Sequence, residues 1–153
     1  MQTIELMRLH VSDFMSTELI TLNSMETVDK ALTIFNENTF HHIPIVDENM
    51  SLVGMISRVE INLISDWGTR FNLESSNNRN RKLMSSFTTA DIMQKNLVTV
   101  EPSAKLEDCV VVFRKNKIHS LPVIDNGVLV GIITTHDLLN IAYQSASRYN
   151  QQF

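Results

Sequence analysis

The sequence of 153 residues has one cysteine, Cys109, and only four glycines. A single cysteine excludes an internal disulfide framework and is typical of a protein in the reducing cytoplasm. Most of these glycines lie in the two repeats described below, so a glycine-rich phosphate loop is excluded. No apolar run approaches the roughly 18 residues that a membrane helix needs. The sequence therefore predicts a cytoplasmic protein without a membrane span or a P-loop.

A surplus of basic residues is also missing. The formal net charge of −4 at pH 7 argues against nucleic acid or an anionic membrane as a partner. The first ten residues carry Glu5 and Arg8 without a small-residue cleavage site, so we expect no signal peptide. The 43% hydrophobic share is enough to build a core, in one ordinary domain or two very small ones.

One pattern of residues occurs twice in the chain, at an offset of 78 positions. Asp13, Met15, Thr21, Phe35, His41 and Pro44 recur as Asp91, Met93, Thr99, Phe113, His119 and Pro122. One residue is then lost in a turn, and Gly54 and Ile56 recur as Gly131 and Ile133. Because one frame holds over so many positions, the chain is an internal duplication of about half its length.

Each copy predicts the order β-α-β-β-α. Short extended pieces come first, at 19–22 and 97–100. Apolar residues at helical spacing follow in 28–35 and 106–113, and each precedes two short β-branched runs, at 43–46 with 52–56 and at 121–124 with 128–133. Asp125-Asn126-Gly127 is a strong signal for a tight hairpin. A last helix follows in each copy, at 59–64 and 136–143.

This order predicts an α+β fold in which two repeats pack through their sheets with pseudo-twofold symmetry, since one copy alone can bury little surface. The expected divisions are an N-terminal helical extension (1–10), repeat 1 (11–65), an insertion (66–88), repeat 2 (89–145) and a C-terminal tail (146–153). The insertion is polar and without periodicity, so we predict a mobile surface loop. Its Arg79, Arg81 and Lys82 could meet a phosphate or a partner, but a solvated loop is the preferred interpretation.

The two copies resemble cystathionine-β-synthase (CBS) domains, and the chain resembles a stand-alone CBS pair. The motifs that carry the resemblance are Asp13-Phe14-Met15 with Asp91-Ile92-Met93, Ile20-Thr21-Leu22 with Val98-Thr99-Val100, 41–47 with 119–125, and 54–60 with 131–137. The resemblance implies a regulatory module rather than an enzyme, with two clefts between the repeats. It also implies AMP, ADP, ATP or S-adenosylmethionine as a regulatory ligand with no required cofactor, and a homodimer that signals to an unknown protein partner.

Carried over by position, the resemblance implies two sets of ligand-binding residues. The first cleft would be lined by Ser16, Ile20, Phe40, His41, Ile132, Thr134, His136 and Asp137. The second and weaker cleft would be lined by Gln94, Val98, Ile118, His119, Met55, Ser57, Arg58 and Glu60. Ile20 and Phe40 would flank an adenine, whereas His41 and His136 would face phosphate oxygens.

The chemistry of the strand-to-helix corner at Thr134 and Asp137 supports this assignment. A carboxylate can accept hydrogen bonds from both vicinal hydroxyls of a ribose, and the free amides of a helix N-terminus suit a phosphate. The alternative is a capping box that ties off the helix and binds nothing. For Ser57 and Glu60 we favour the capping box, because Glu60 departs from the Asp that CBS ribose sites usually carry.

Other functions are weaker alternatives. The histidines lack the converging spacing of a zinc site, because His41 and His42 are adjacent and point to opposite faces of an extended segment. No nucleophile with a base and a third partner indicates an enzyme. The main competing hypothesis is a ligand-free dimerisation or interaction scaffold with vestigial clefts.

Overall fold

The computed structural model of the chain describes residues 8–69 and 76–150. A short 3-10 helix, Val11–Asp13, comes first. The α-helices are α1 (Val28–Glu37), α2 (Arg58–Thr69), α3 (Ser76–Ser86), α4 (Thr89–Ile92), α5 (Leu106–Asn116) and α6 (Thr135–Asn150). The strands are β1 (His42–Val46), β2 (Leu52–Ser57), β3 (Ser120–Asp125) and β4 (Val128–Thr134). This mixture of helices and small antiparallel sheets confirms the predicted α+β class.

The strands form two antiparallel hairpins. β1 pairs with β2 so that Ile43 lies opposite Ile56, and β3 pairs with β4 so that Leu121 lies opposite Ile133. All four of these side chains are fully buried. The short β-branched runs that predicted strands therefore supply the buried faces of both sheets.

The turn between β3 and β4 has the backbone that its sequence predicts. Asn126 and Gly127 both have positive φ, at 48° and 83°. Two consecutive left-handed residues match the right-handed twist of the flanking strands, and Asn-Gly is the pair that adopts them most readily. In the longer loop between β1 and β2, the carboxylate of Asp47 accepts hydrogen bonds from the backbone N–H of Asn49 and of Ser51, at 2.8 and 2.9 Å.

The chain divides into two compact units whose borders fall inside the repeats. The central unit is Ile20–Leu97, and the terminal unit combines the residues up to Leu19 with those from Val98 onward. In the terminal unit, Ser16 from the start of repeat 1 exchanges two backbone hydrogen bonds with Ile132 of β4, at 2.9 and 3.0 Å. The opening segment of repeat 1 is therefore built onto the sheet of repeat 2.

The central unit repeats this arrangement with its own residues. Gln94, from the start of repeat 2, exchanges backbone hydrogen bonds of 2.9 and 3.0 Å with Met55 of β2. Both connections follow from the sheet edges, because the backbone groups of a strand need partners wherever they are buried. Each strand-to-helix corner is thereby joined by the opening segment of the other repeat.

Each unit has its own hydrophobic core. The helical spacing of apolar residues is confirmed in α1 and α5, whose inward faces are fully or nearly fully buried. The core of the central unit consists of Leu22, Val28, Ala31, Phe35, Ile43, Ile45, Ile56, Ile61 and Met84. The core of the terminal unit consists of Val11, Leu106, Cys109, Phe113, Leu121, Val123 and Ile133.

The extended pieces at 19–22 and 97–100 are not strands. Each makes only an isolated parallel bridge, from Leu22 to Ile45 and from Val100 to Val123. The sequence predicted a short first strand in each repeat, and the structure has a single bridge there, so this prediction was wrong. The physical reason is that each piece pairs with the adjacent strand at one position, while its neighbours remain partly or fully exposed.

The insertion contains a helix where the sequence predicted a mobile loop, so that prediction was wrong for the part described. α3 contacts α1 and α2. It inserts Met84, which is 1% exposed, into the core of the central unit. Within 81–86, the part of α3 whose side chains are described, Met84 is the deeply buried residue, so its burial, and not a periodic pattern, anchors this polar helix.

Two predictions lie wholly or partly outside the described residues. The expected N-terminal helix falls mostly on residues 1–7, and the end of the C-terminal tail falls on 151–153. The first part of the tail, 146–150, belongs to α6, which extends to Asn150.

Candidate functional site

The corner where β4 runs into α6 carries the first candidate carboxylate. The backbone N–H and the hydroxyl of Thr134 both donate to Asp137 Oδ2, each at 2.7 Å. In return, the backbone N–H of Asp137 donates to the Thr134 hydroxyl at 3.2 Å. These reciprocal bonds are a capping box that fixes the carboxylate at the first turn of α6.

The second oxygen of this carboxylate is open. Asp137 Oδ1 accepts no hydrogen bond from any residue within 8–69 and 76–150, and the side chain is half-buried. The amides of the first turn of α6 lie at the positive end of a helix of 16 residues. Two of these amides are engaged, Thr135 with the His119 carbonyl and Asp137 with the Thr134 hydroxyl. The corner therefore offers a fixed hydrogen-bond acceptor at the positive end of a helix.

The equivalent corner, where β2 runs into α2, is closed by its own side chains. The backbone N–H of Ser57 donates to Glu60 Oε2 at 2.7 Å, and the Ser57 hydroxyl donates to the same oxygen. The side-chain amide of Gln94 donates to Glu60 Oε1 at 2.8 Å. Both carboxylate oxygens are thus engaged. The Ser57 hydroxyl accepts from the backbone N–H of Val59 at 3.3 Å, so the corner is capped by its own side chains.

Arg58, a predicted residue of the second cleft, has its guanidinium engaged at the end of α1. Nε donates to the carbonyl of Phe40 at 2.9 Å. The terminal nitrogen Nη2 donates to the carbonyls of Phe35 and Asn38. A cation at a helix C-terminus satisfies carbonyls that have no partner within the helix, so this arginine closes α1.

Among the other predicted residues of the terminal unit, Ser16 and Ile132 are brought together with the corner at Thr134 by their paired backbones. His136 is exposed on the first turn of α6. His119 is also exposed, and its carbonyl accepts from the N–H of Thr135 at 3.0 Å. Val98 is 39% exposed, whereas Ile118 packs against the core.

The remaining predicted residues belong to the central unit. Ile20 is 41% exposed. Phe40 is half-buried and meets Phe35 edge to face, with ring centroids 6.1 Å apart. His41 is exposed, and Met55 is 6% exposed. The grouping of residues from both units into one cleft stays a sequence prediction.

Sequence reasoning missed two features of the corners. It did not predict the hydrogen bond from Gln94 to Glu60, although the alignment of Gln94 with Ser16 marked a difference between the repeats. It also gave no role to the methionine of each Asp-x-Met motif. A Cβ built on Gly131 would lie 2.5 Å from Met15 Sδ, and one on Gly54 would collide with the Met93 sulfur. The glycines therefore make room for these methionines.

The described residues hold no group of three or more His, Cys, Asp or Glu side chains that could bind a metal ion. In the same part of the chain, no helix combines the length and apolar character needed to cross a bilayer.

A profile of the CBS domain matches the chain twice, at residues 11–62 and 90–143. The chain belongs to the CBS-domain family. It is 33% identical over 136 residues to a CBS domain-containing protein of Dictyostelium discoideum, covering 88% of this chain and 92% of that protein. Other relatives are longer, and the chain spans 45% and 64% of two of them.

Solved CBS structures are similar along most of the chain. One is CBSX2, from Arabidopsis thaliana, in complex with AMP. It is 28% identical with a TM-score of 0.71, and the alignment covers 90% of this chain and 98% of that one. Another is the CBS domain pair of protein MJ0100, in complex with 5′-methylthioadenosine and S-adenosyl-L-methionine. It is 25% identical with a TM-score of 0.71 and the same coverage of both chains.

Proposed function

We propose that this CBS pair is a regulatory module that binds an adenosyl ligand through the corner at Thr134 and Asp137. The observation that carries the proposal is the open oxygen Oδ1 of Asp137, on a carboxylate fixed at the start of α6. The similarity to CBS pairs solved with AMP and with S-adenosyl-L-methionine supports this choice of ligand.

The chemistry of this corner matches a nucleoside with an attached phosphate. The vicinal hydroxyls of a ribose would donate to the Asp137 carboxylate, which is a charge-assisted arrangement. A phosphate would be attracted to the positive end of the α6 dipole. His136 is exposed on the same turn and would add a donor. Ile20, Phe40 and His41 remain predicted ligand residues on the basis of the sequence resemblance.

Calorimetric titration of the purified chain with AMP, ADP, ATP and S-adenosylmethionine tests the proposal. We expect Asp137→Asn to weaken binding about 10- to 100-fold, because a hydrogen bond to a charged group contributes about 1.5–3 kcal/mol. Absence of heat and of any thermal shift with all four ligands at millimolar concentration would overturn it.

Asp91 provides a matched control for that substitution. The backbone N–H and the hydroxyl of Thr88 donate to Asp91 Oδ2 at 2.7 and 2.9 Å, the same capping arrangement as at Asp137. Asp91→Asn therefore removes a comparable cap from α4. We expect it to leave ligand affinity unchanged, whereas equal losses in both variants would indicate a general effect on stability.

A ligand can regulate only if it has different affinities for two states of the protein. We propose that a protein partner reads this difference. Asp137→Ala also discriminates the competing scaffold function: if partner capture and self-association are the same in this variant, with and without AMP, the ligand-free scaffold is the better description.

The partner that we propose for self-association is a second copy of the chain. Two helices present pairs of exposed apolar side chains at i, i+4 spacing: Val59 and Leu63 on α2, at 63% and 58%, and Leu139 and Tyr143 on α6, at 67% and 75%. Removing such stripes from water stabilises an assembly by about 25 cal/mol per Å². Sedimentation analysis of Leu139→Glu should show monomers. Val111→Glu, at the equally exposed Val111 on α5, is the control.

A further inference from the structure

The carboxylate of Glu60 receives three hydrogen bonds from two side chains and one backbone group. Ser57 donates twice to Oε2, and Gln94 donates to Oε1 at 2.8 Å. At the corresponding place in the terminal unit, Asp137 receives bonds on Oδ2 only. In both corners, a backbone N–H and a hydroxyl donate to one carboxylate oxygen. The other oxygen, which a ligand would use, is engaged at Glu60 and open at Asp137.

The position of Gln94 is set by its backbone. Its N–H and carbonyl pair with Met55, two residues before Ser57. This pairing holds the side chain beside the corner, where a long amide can reach across to Glu60. The donor comes from 34 residues further along the chain, so the bond is a tertiary contact and not part of the cap of α2.

Ser16 occupies the same place in the terminal unit, where its backbone pairs with Ile132. The side chain of Ser16 is two bonds shorter than that of Gln94 and carries no amide. Within the described residues it makes no hydrogen bond to Asp137. The closed corner has Gln94 and Glu60 where the open corner has Ser16 and Asp137. These two differences account for one closed and one open carboxylate.

We propose that Gln94 is an internal latch: its side-chain amide occupies the acceptor on Glu60 that a ribose hydroxyl would need. The chain then binds one adenosyl ligand, at the corner of Asp137, and not two. This inference rests on the proposed function. The latch competes as an intramolecular donor at high effective concentration, so a diol must break a charge-assisted hydrogen bond before it can bind.

The test gives the closed corner the residues of the open one. Calorimetry with AMP should give one equivalent bound by the wild-type chain and two by the double variant Gln94→Ser with Glu60→Asp. We expect the second event to be at least about tenfold tighter than any further binding to the wild type, since one lost competing hydrogen bond corresponds to that factor. Adding Asp137→Ala to the double variant should remove the first event and keep the second.

A folded double variant that binds no more AMP than the wild type overturns the latch, as does a wild type that already binds two equivalents. If the wild type binds none, the proposed function fails at Asp137. The latch then stands if the double variant binds one equivalent, and is overturned if it binds none. Should the double variant not fold, Gln94→Ala replaces it, because this change removes only an exposed side chain.

A measurement without ligand provides a second check. In ¹⁵N correlation spectra, the side-chain amide signal of Gln94 should be shifted in the wild type, and should move to the position of a free glutamine amide in Glu60→Ala. An amide signal that is the same in both proteins would overturn the latch.

Discussion

The guanidinium of Arg58 lies over the ring of Phe35, with Cζ 5.1 Å from the ring centroid. The same group donates to the carbonyls of Phe35, Asn38 and Phe40, where α1 ends and the chain turns toward β1. One side chain at the start of α2 thus connects two helices of the central unit. The position of Arg58 in a predicted ligand motif gives no indication of this structural role.

Arg58→Ala should destabilise the protein by about 2–3 kcal/mol, because three carbonyls lose a charged donor and the ring loses a cation. Urea unfolding followed by circular dichroism measures this change. Arg58→Lys should recover only part of the loss, since an ammonium cannot reproduce the planar fork of donors. Val111→Ala, at an exposed position on α5 outside the proposed self-association surface, is the control. A loss below about 0.5 kcal/mol for Arg58→Ala would contradict the structural role.

The contact between Gly131 and Met15 predicts a coupled pair of substitutions. Gly131→Ala places a Cβ 2.5 Å from Met15 Sδ and 3.1 Å from the Ser16 carbonyl oxygen, and should reduce the free energy of unfolding by about 1–3 kcal/mol. Combining it with Met15→Ala should restore part of the loss, which a double-mutant cycle detects. At Gly127, φ is 83°, and an added Cβ would meet no heavy atom of the described residues within 4 Å beyond its own chain neighbours. Alanine there should cost about 1 kcal/mol by backbone strain alone and show no coupling to Met15.

Cys109 predicts a dependence of stability on alkaline pH. Burial in the core of the terminal unit, with Asp108 adding to it, raises the pKa of the thiol from 9.0 to about 11. Between these values the unfolded chain loses a proton that the folded chain keeps, so stability is full below pH 9 and falls as pH rises. The free energy of unfolding should decrease by at most about 1.4 kcal/mol per pH unit from this thiol.

The control for this pH dependence is Cys109→Ala, which copies Ala31 at the matching position of α1. It removes the thiol and leaves the titration of lysines and tyrosines unchanged. Urea unfolding at several values of pH between 7 and 11 should give a smaller alkaline loss in the variant. Parallel curves for the two proteins would contradict the shifted thiol pKa.

The elements that the sequence predicted well are those whose signal is local. Helical spacing predicted α1 and α5, and the Asp-Asn-Gly tripeptide predicted the turn that follows β3, because each depends on residues within one or two turns. The caps at Thr134 and Ser57 also depend on local sequence. Their side chains and backbone groups are three residues apart.

The contacts that sequence reasoning missed are non-local or involve backbone acceptors. Arg58 binds carbonyls 18 to 23 residues away, and every residue type presents the same carbonyl. Gln94 reaches Glu60 across 34 residues. Neither contact produces a recognisable pattern among residues that are close in sequence. Arg58 and Gln94 were both predicted as ligand residues of the second cleft, and their contacts within the protein became visible only in the fold.

The helix α3 gives the remaining prediction, since the buried side chain of Met84 anchors it. Met84 is 1% exposed in the core of the central unit, whereas its neighbour Leu83 is 37% exposed. Met84→Ala should reduce the free energy of unfolding by about 2–5 kcal/mol, because it leaves a cavity among well-packed side chains. Leu83→Ala should cost less than about 1 kcal/mol. Urea unfolding of the two variants makes the comparison, and equally small losses would mean that α3 is a detached surface segment, as its polar sequence predicted.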